Sequence, residues 1–187
     1  MHNDQTDEAL MLAYRNGNNK AFDQLFERHR DPVYRYVVRQ IGDPNTAEEL
    51  FQDVWTNLIR NRDRYEVQAK FTTMLYQMAR HRIIDHYRTS GTRMQVLADS
   101  QGDNVESFSD GAPSQARIVD GKRKAELLKE LIETLPPEQR DVFLLYEEAG
   151  LSLEQIAAIT SVARETTKSR LRYAVAKLRL GLGADQR

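Results

Sequence analysis

The chain has no cysteine among its 187 residues. That absence excludes disulfides, thiol redox sensing and cysteine-ligated zinc. No apolar run approaches the length of a membrane span. The N-terminal MHNDQTDEAL is too polar and acidic for a secretory signal. The expectation is a soluble, cytoplasmic protein with no direct membrane insertion. Net charge is nearly absent too, with 27 Lys/Arg against 28 Asp/Glu and a balance of −1. A globally basic nucleic-acid binder is excluded, so any such affinity has to come from local clusters. No strand-like alternation of useful length and no internal repeat is found. The residue sets of enzyme chemistry are missing as well: no Ser-His-Asp set, no glycine-rich phosphate loop, no separated carboxylate pair. His81 and His86 stand at i, i+5, which does not place two imidazoles on one helix face for a metal. The expectation is therefore no enzyme, no cofactor and no metal.

What is present is helical. Hydrophobic content of 40% with 29% charge points to modest helical cores. The chain divides into three parts. Residues 1–90 carry helical periodicity and balanced charge, 13 basic against 13 acidic. Residues 91–121 hold four Gly, four Ser and a Pro, with two basic and five acidic residues. Such a segment buries too little apolar surface to order itself and reads as a flexible acidic linker. Residues 122–187 are helical again. The fold class is all-α, two small helical domains joined by that linker.

In the first part, Thr6–Asn16 and Asn19–Gln40 read as helices, with Pro32 expected to kink or split the second. Ala47–Ile59 is the cleanest amphipathic helix. Ala47, Leu50, Phe51, Val54, Trp55, Leu58 and Ile59 recur at i, i+3, i+4, i+7, i+8, i+11 and i+12. Its opposite face carries Glu48, Glu49, Gln52, Asp53 and Asn57. Dipole complementarity and solubility alone would account for those acids. A polar loop, Asn61–Lys70, leads to the helix Phe71–Tyr87. There Phe71, Met74, Leu75, Met78, Ala79, Ile83 and Ile84 form the apolar side, and Tyr76, Arg80, His81, Arg82, Tyr87 and Arg88 lie on the others. Interleaved aromatics and arginines suit stacking and phosphate contacts to single-stranded nucleic acid; core aromatics with solvated arginines are the plainer account.

The most informative stretch is LSLEQIAAITSVARETTKSRLRYAVAKLR, Leu151–Arg179. Gly150 stops one helix. Ser152 and Gln155 form an S-x-x-Q capping box that starts the next. After a tight turn, a second helix carries six Lys/Arg between Arg164 and Arg179 against the single acid Glu165. This is the pattern of a helix-turn-helix that lays its second helix in a DNA major groove. A basic helical hairpin within an ordinary bundle is the alternative.

Taken in order, five motifs resemble one family. They are AEELFQDVW, F-x-x-x-L-x-x-x-A-R-x-R-x-I-D-x-x-R, an acidic linker, L-P-P-E-Q-R, and EQIA followed by T-x-K-S-R-L. The chain resembles bacterial RNA polymerase sigma factors of the extracytoplasmic-function type over nearly its whole length. The resemblance implies region 2 within 1–90, the linker at 91–121 and region 4 within 122–187. It implies that Glu49, Gln52 and Asp53 dock on the clamp helices of the largest catalytic subunit of core polymerase, with the flap of the second subunit as a further contact. It implies −10 contacts, including the nontemplate single strand, from Arg62, Arg64, Tyr65, Arg80, His81 and Arg88. The −35 duplex would be read by Arg164, Glu165, Thr166, Lys168, Ser169, Arg170 and Arg172. An anti-sigma factor, which in many relatives is anchored to the inner membrane, is a further implied partner.

The chain departs from the family pattern at four places. Met74 stands where Trp is usual, His81 where Asn is frequent, Ala163 where Ser or Thr often starts the recognition helix, and Thr167 where Val is frequent. The competing class is a stand-alone helix-turn-helix regulator with an N-terminal sensory or dimerising module. Such a module has no need of Glu49-x-x-Gln52-Asp53 followed by an aromatic-basic helix.

Overall fold

The computed structural model describes residues 5–90 and 121–184. The predicted linker, including Asp99, Asp103, Glu106 and Asp110, lies almost wholly outside the described residues. Among those described there are eight α-helices and no strand. The N-terminal unit comprises α1 (Asp7–Arg15), α2 (Asn19–Ile41), α3 (Pro44–Arg60), a single 3-10 turn at Arg62–Arg64 and α4 (Phe71–Thr89). The C-terminal unit comprises α5 (Gly121–Glu133), α6 (Pro137–Glu147), α7 (Leu153–Thr160) and α8 (Arg164–Ala184). No helix among the described residues is long and apolar enough to cross a membrane.

Local sequence sets the helix ends. Asp43 caps α3, accepting from the Thr46 amide at 2.8 Å and the Thr46 hydroxyl at 2.6 Å, and Pro44 suits the first turn. α4 follows Lys70, which makes no side-chain cap. Its first amide is instead taken by Glu8 of α1, at 2.9 Å from Phe71 N. α1 is fixed in turn by Asp7, which accepts from Arg28 at 2.9 Å and pairs with His29 at 2.7 Å. α2 is one helix through Pro32, so the expected split does not occur. Proline removes the donor toward the carbonyl four residues back and crowds it; the residue there, Arg28, is on the exposed side of the helix.

The α3 periodicity is realised. Ala47, Leu50, Val54, Trp55 and Leu58 are buried, while Ile59 is 42% exposed. Trp55 sits among aromatics, with Phe26 at 4.9 Å and Phe22 at 5.9 Å, both edge-on. Fully burying side chains of this kind contributes roughly 1.5–3 kcal/mol each. That commits one face of α3 to the core and leaves the other to solvent.

In the C-terminal unit, Arg140 of α6 donates to the carbonyls of Ile132 at 3.1 Å and Leu135 at 3.3 Å, and to that of Glu133. A cation at the end of α5 suits its orphan carbonyls. The predicted capping box is formed: Gln155 N donates to Ser152 Oγ at 3.3 Å, and Ser152 N to Gln155 Oε1 at 2.9 Å. Ser161 takes the left-handed conformation, φ 59°, that turns the chain into α8.

The two units also pack on each other. α2 meets α5 and α6, and α4 meets α7.

Candidate nucleic-acid interface

Glu48, Glu49, Gln52 and Asp53 are exposed on α3, opposite the buried Leu50 and Val54. Gln52 donates to Glu48 at 3.0 Å, one turn back. The face is polar, acidic and fixed to a rigid helix, so it can meet a rigid partner without reorganising.

The loop after α3 folds over a cavity of about 240 Å³. Asn61, Arg64, Tyr65, Glu66 and Gln68 form one wall, and Met11, Leu58, Met74 and Met78 the other. Arg15 holds the loop in place by donating to the Tyr65 carbonyl at 2.8 Å. Arg62 lies over the Tyr14 ring, 5.4 Å from its centroid. The Tyr65 side chain is only 6% exposed. Burial, with the charges of Glu8 and Asp7, raises its pKa, and its hydroxyl has no hydrogen-bond partner among the described residues. Tyr65, a −10 contact in the resemblance, is packed as a wall of the cavity, and Arg64 is the exposed cation at the rim. Met74, where an aromatic was expected, supplies a flexible apolar surface.

On α4 the expected cations separate. His81 and Arg88 are exposed, Arg88 lying 3.9 Å from Asp85. Arg80 is 8% exposed and ion-paired to Asp141 of α6, Nε to Oδ2 at 2.7 Å. In this arrangement Arg80 does not face solvent, so the expected contact to DNA requires the two units to part.

In the helix-turn-helix, Glu165, Lys168 and Arg172 are exposed on α8, and Thr166, Ser169 and Arg170 are half-buried. Arg164, at the first turn, pairs with Glu154 of α7 and, at 3.2 Å, with Glu165. The Arg164 hydrogen bond holds the Glu154 carboxyl down to about 2. Arg172 lies over the Tyr173 ring at 5.2 Å. Thr167 is fully buried, and its hydroxyl donates to the Ala163 carbonyl at 3.2 Å. That local bond is how a hydroxyl is accommodated at an apolar position.

A set of polar contacts joins the units, and its two acids, Asp141 and Glu148, were not singled out by the sequence pattern. Asp141, 1% exposed, accepts from Tyr36 Oη at 2.8 Å, Gln40 Nε2 at 3.0 Å and Arg80. Burial and the Asp141 charge push the Tyr36 phenol well up, so it stays a donor. Glu148 pairs with Arg35 at 2.7 Å and with Arg39. Its backbone carbonyl accepts from Tyr76 Oη at 3.5 Å. Gln155 of the capping box donates across to Thr73 Oγ1 at 2.9 Å. The available signal in the sequence was an acid, Asp141, at i−4 to the core residue Leu145 and i−7 to Glu148, on a face that also turns inward.

Residues 25–93 match the family model described as Sigma-70 region 2, and residues 125–178 that described as Sigma-70, region 4. The ECF RNA polymerase sigma-E factor of Escherichia coli is 30% identical over 174 residues, which is 89% of this chain and 88% of that protein. The RNA polymerase sigma factor CarQ of Myxococcus xanthus is 28% identical over 92% of this chain and 95% of its own length. Against the ECF sigma factor SigE of Mycolicibacterium smegmatis, 29% identical, the chain spans 60% of the relative's length. Among solved structures, the sigma factor RpoE in complex with the anti-sigma factor NepR from Bartonella quintana superposes with a TM-score of 0.66 at 25% identity, covering 89% of this chain and 99% of that one. CnrH, solved with the cytosolic domain of CnrY, shares the fold with a TM-score of 0.67 at 22% identity, over 97% and 99% of the two chains.

A four-helix unit followed by a helix-turn-helix unit, matched in that order, defines a two-region sigma-70-type transcription initiation factor. The chain belongs to the extracytoplasmic-function (ECF) RNA polymerase sigma factors.

Proposed function

We propose that the chain directs core RNA polymerase to its promoters by a two-point grip, each point assigned to its own helices. The exposed Glu49, Gln52 and Asp53 on α3 dock on the clamp helices of the largest subunit. The loop after α3, through Arg62, Arg64 and the wall residue Tyr65, holds the −10 nontemplate strand together with His81, Arg88 and, once uncovered, Arg80 of α4. A base extruded from the duplex costs a few kcal/mol of unstacking, which cavity contacts have to offset. α8 reads the −35 duplex through Arg164, Glu165, Thr166, Lys168, Ser169, Arg170 and Arg172, with the flap of the second subunit holding region 4. Joining two weak contacts on one scaffold raises their combined affinity through effective concentration.

The observation that carries this reading is the pairing on one chain of an exposed acidic α3 face with an exposed basic α8. In this reading the chain supplies recognition, the polymerase supplies catalysis, and the work is done in the cytoplasm. A regulating anti-sigma factor is a proposed partner, supported by the Bartonella relative having been solved in complex with one. In vitro transcription with purified core polymerase and genomic DNA tests the proposal. Start sites sharing −35 and −10 elements are expected. No binding to core, together with specific duplex binding by the chain alone, would favour a stand-alone regulator instead.

A further inference from the structure

The loop after α3 has little of its own to fix its shape. Beyond the 3-10 turn at Arg62–Arg64, residues 65–70 form no helix or strand, so no backbone ladder holds them. Among the described residues, the long-range hydrogen bonds to this stretch and to the first amide of α4 both come from α1. Arg15 donates to the Tyr65 carbonyl at 2.8 Å, and Glu8 accepts from Phe71 N at 2.9 Å. Near the start of the loop, Arg62 lies over the Tyr14 ring, 5.4 Å from its centroid. Tyr14, Arg15 and Glu8 therefore take hold of the loop at its beginning, middle and end. Met11, also on α1, lines the cavity that the loop covers. The seat of Tyr65 depends on the middle tether. Its hydroxyl is buried with no hydrogen-bond partner among the described residues, which opposes burial of the ring. The Arg15 bond acts the other way. α1 is itself fixed. Nine residues are too few for a stable isolated helix, but Leu10, Met11 and Tyr14 are buried and Asp7 is bonded to Arg28 and His29 of α2.

We propose that α1 is a working part of the −10 reader, with Arg15 as its positioning residue: through the Tyr65 carbonyl it fixes the loop wall of the cavity before a base enters. The proposal rests on the promoter reading above and adds to it Glu8, Tyr14 and Arg15, none of them placed against DNA. Arg15 is half-buried and commits a donor to the loop backbone, so it acts through the loop rather than on a phosphate. A preformed wall leaves less ordering to be done when the base is captured. A loop in place only roughly a tenth of the time would weaken capture about tenfold.

Two measurements test this role. The first needs no DNA. The chain lacks native cysteine, so spin labels can be placed at Val67→Cys in the loop and Gln77→Cys on α4, both exposed positions. Arg15→Met keeps an apolar stem and removes the donor; it should broaden the distribution of distances between the labels. Arg15→Lys, which can still donate to one carbonyl, should narrow it again. Lys20→Ala, which removes an exposed cation nearby in sequence, should leave it unchanged. Circular dichroism checks that the helices persist in each variant. The second measurement uses holoenzyme and a promoter duplex found by the transcription experiment, compared with the same duplex made abasic at one nontemplate −10 position at a time. At the extruded position the base strengthens binding by filling the cavity, and Arg15→Met should reduce that advantage about tenfold. Affinity for core and the salt dependence should not change. A direct phosphate contact would instead lower the slope of log affinity against log salt by about 0.7–0.9. The proposal is overturned by an unbroadened distance distribution, by a base advantage that Arg15→Met leaves intact, by a fall in the salt slope, or by failure of lysine to restore either quantity. The two readings fail separately. An unmodified holoenzyme whose start sites share no elements overturns the promoter reading. Normal transcription with an intact base advantage in Arg15→Met overturns the positioning role alone.

Discussion

Arg80 and Asp141 stand 61 residues apart in sequence, yet Nε of one lies 2.7 Å from Oδ2 of the other, and both side chains are buried. The pair crosses the boundary between region 2 and region 4. A buried ion pair of this kind adds little net stability over an apolar contact, but removing one member of it is strongly destabilising. The pair is therefore a sensitive control point for whether the two regions stay together.

Asp141→Ala should part the regions without unfolding either. Removing the Asp141 carboxylate takes the buried acceptor from Tyr36, Gln40 and Arg80 together, a loss of about 3–5 kcal/mol in the closed arrangement, and opening relieves it by hydration. The absence of native cysteine allows specific dye labelling at Lys70→Cys and Lys177→Cys, both exposed positions. Energy transfer between the dyes is expected to fall in Asp141→Ala while far-ultraviolet circular dichroism is retained. Unchanged transfer would show that the pair does not hold the regions together.

The docking face makes a separate prediction. Gln52→Ala with Asp53→Ala removes two exposed side chains whose one described hydrogen bond is the local one to Glu48. Exposed substitutions of this kind alter stability by only about 0.5 kcal/mol. Affinity for core polymerase should nevertheless fall about tenfold or more, since truncating a key interface side chain costs upward of about 1–2 kcal/mol. Titration of core against labelled chain checks it, with a thermal melt as the control; unchanged affinity would remove this face from the interface.

How much was legible in advance follows from the range of each interaction. The α3 face, the Ser152–Gln155 box and the turn into α8 depend on residues within about one helical turn, so periodicity and capping rules reach them. Arg80 looked like one more cation on a polar face because its partner lies in another region. Asp141, inside PEQRDVFLL, is part of no local motif that marks it as buried, and its partners are more than 60 residues away. Tyr65 sat in a polar loop and gave no sign that Arg15 would fold the loop's backbone down over Met74 and Met78. Periodicity locates a face but does not say what covers it. The acidic linker expected from composition falls almost wholly outside the described residues.

Acid should loosen the N-terminal unit through Asp7. Its carboxyl is held below the ordinary 3.8, chiefly by the hydrogen bond from His29, against burial and with help from Arg28. A depressed folded value means that the contribution is fully present above the unfolded carboxyl range. It is lost as pH falls below about 3.8 and through the folded value. Asp7 and its neighbour Glu8 tie α1 to α2 and to the start of α4. Asp7→Asn should therefore lower stability at neutral pH and flatten the acid limb. Urea midpoints across that range check the prediction; an acid limb as steep as in the unmodified chain would rule Asp7 out as its source.

Finally, α8 should be read by its salt dependence. Lys168 and Arg172 are exposed, and neither pairs with an acid among the described residues. Each phosphate they neutralise contributes about 0.9 to the slope of log affinity against log salt. Lys168→Ala with Arg172→Ala should lower that slope by about 2 and weaken all duplex sequences nearly alike. Arg164 is set apart, because Glu154 holds its guanidinium at the first turn, where side chains reach base edges. Glu154→Gln frees it from that geometry. The salt slope should then change little, while discrimination between the −35 element and an unrelated duplex falls. Competition binding on the polymerase holoenzyme measures both quantities. If discrimination is kept after Glu154→Gln, the Arg164–Glu154 pair has no part in reading bases.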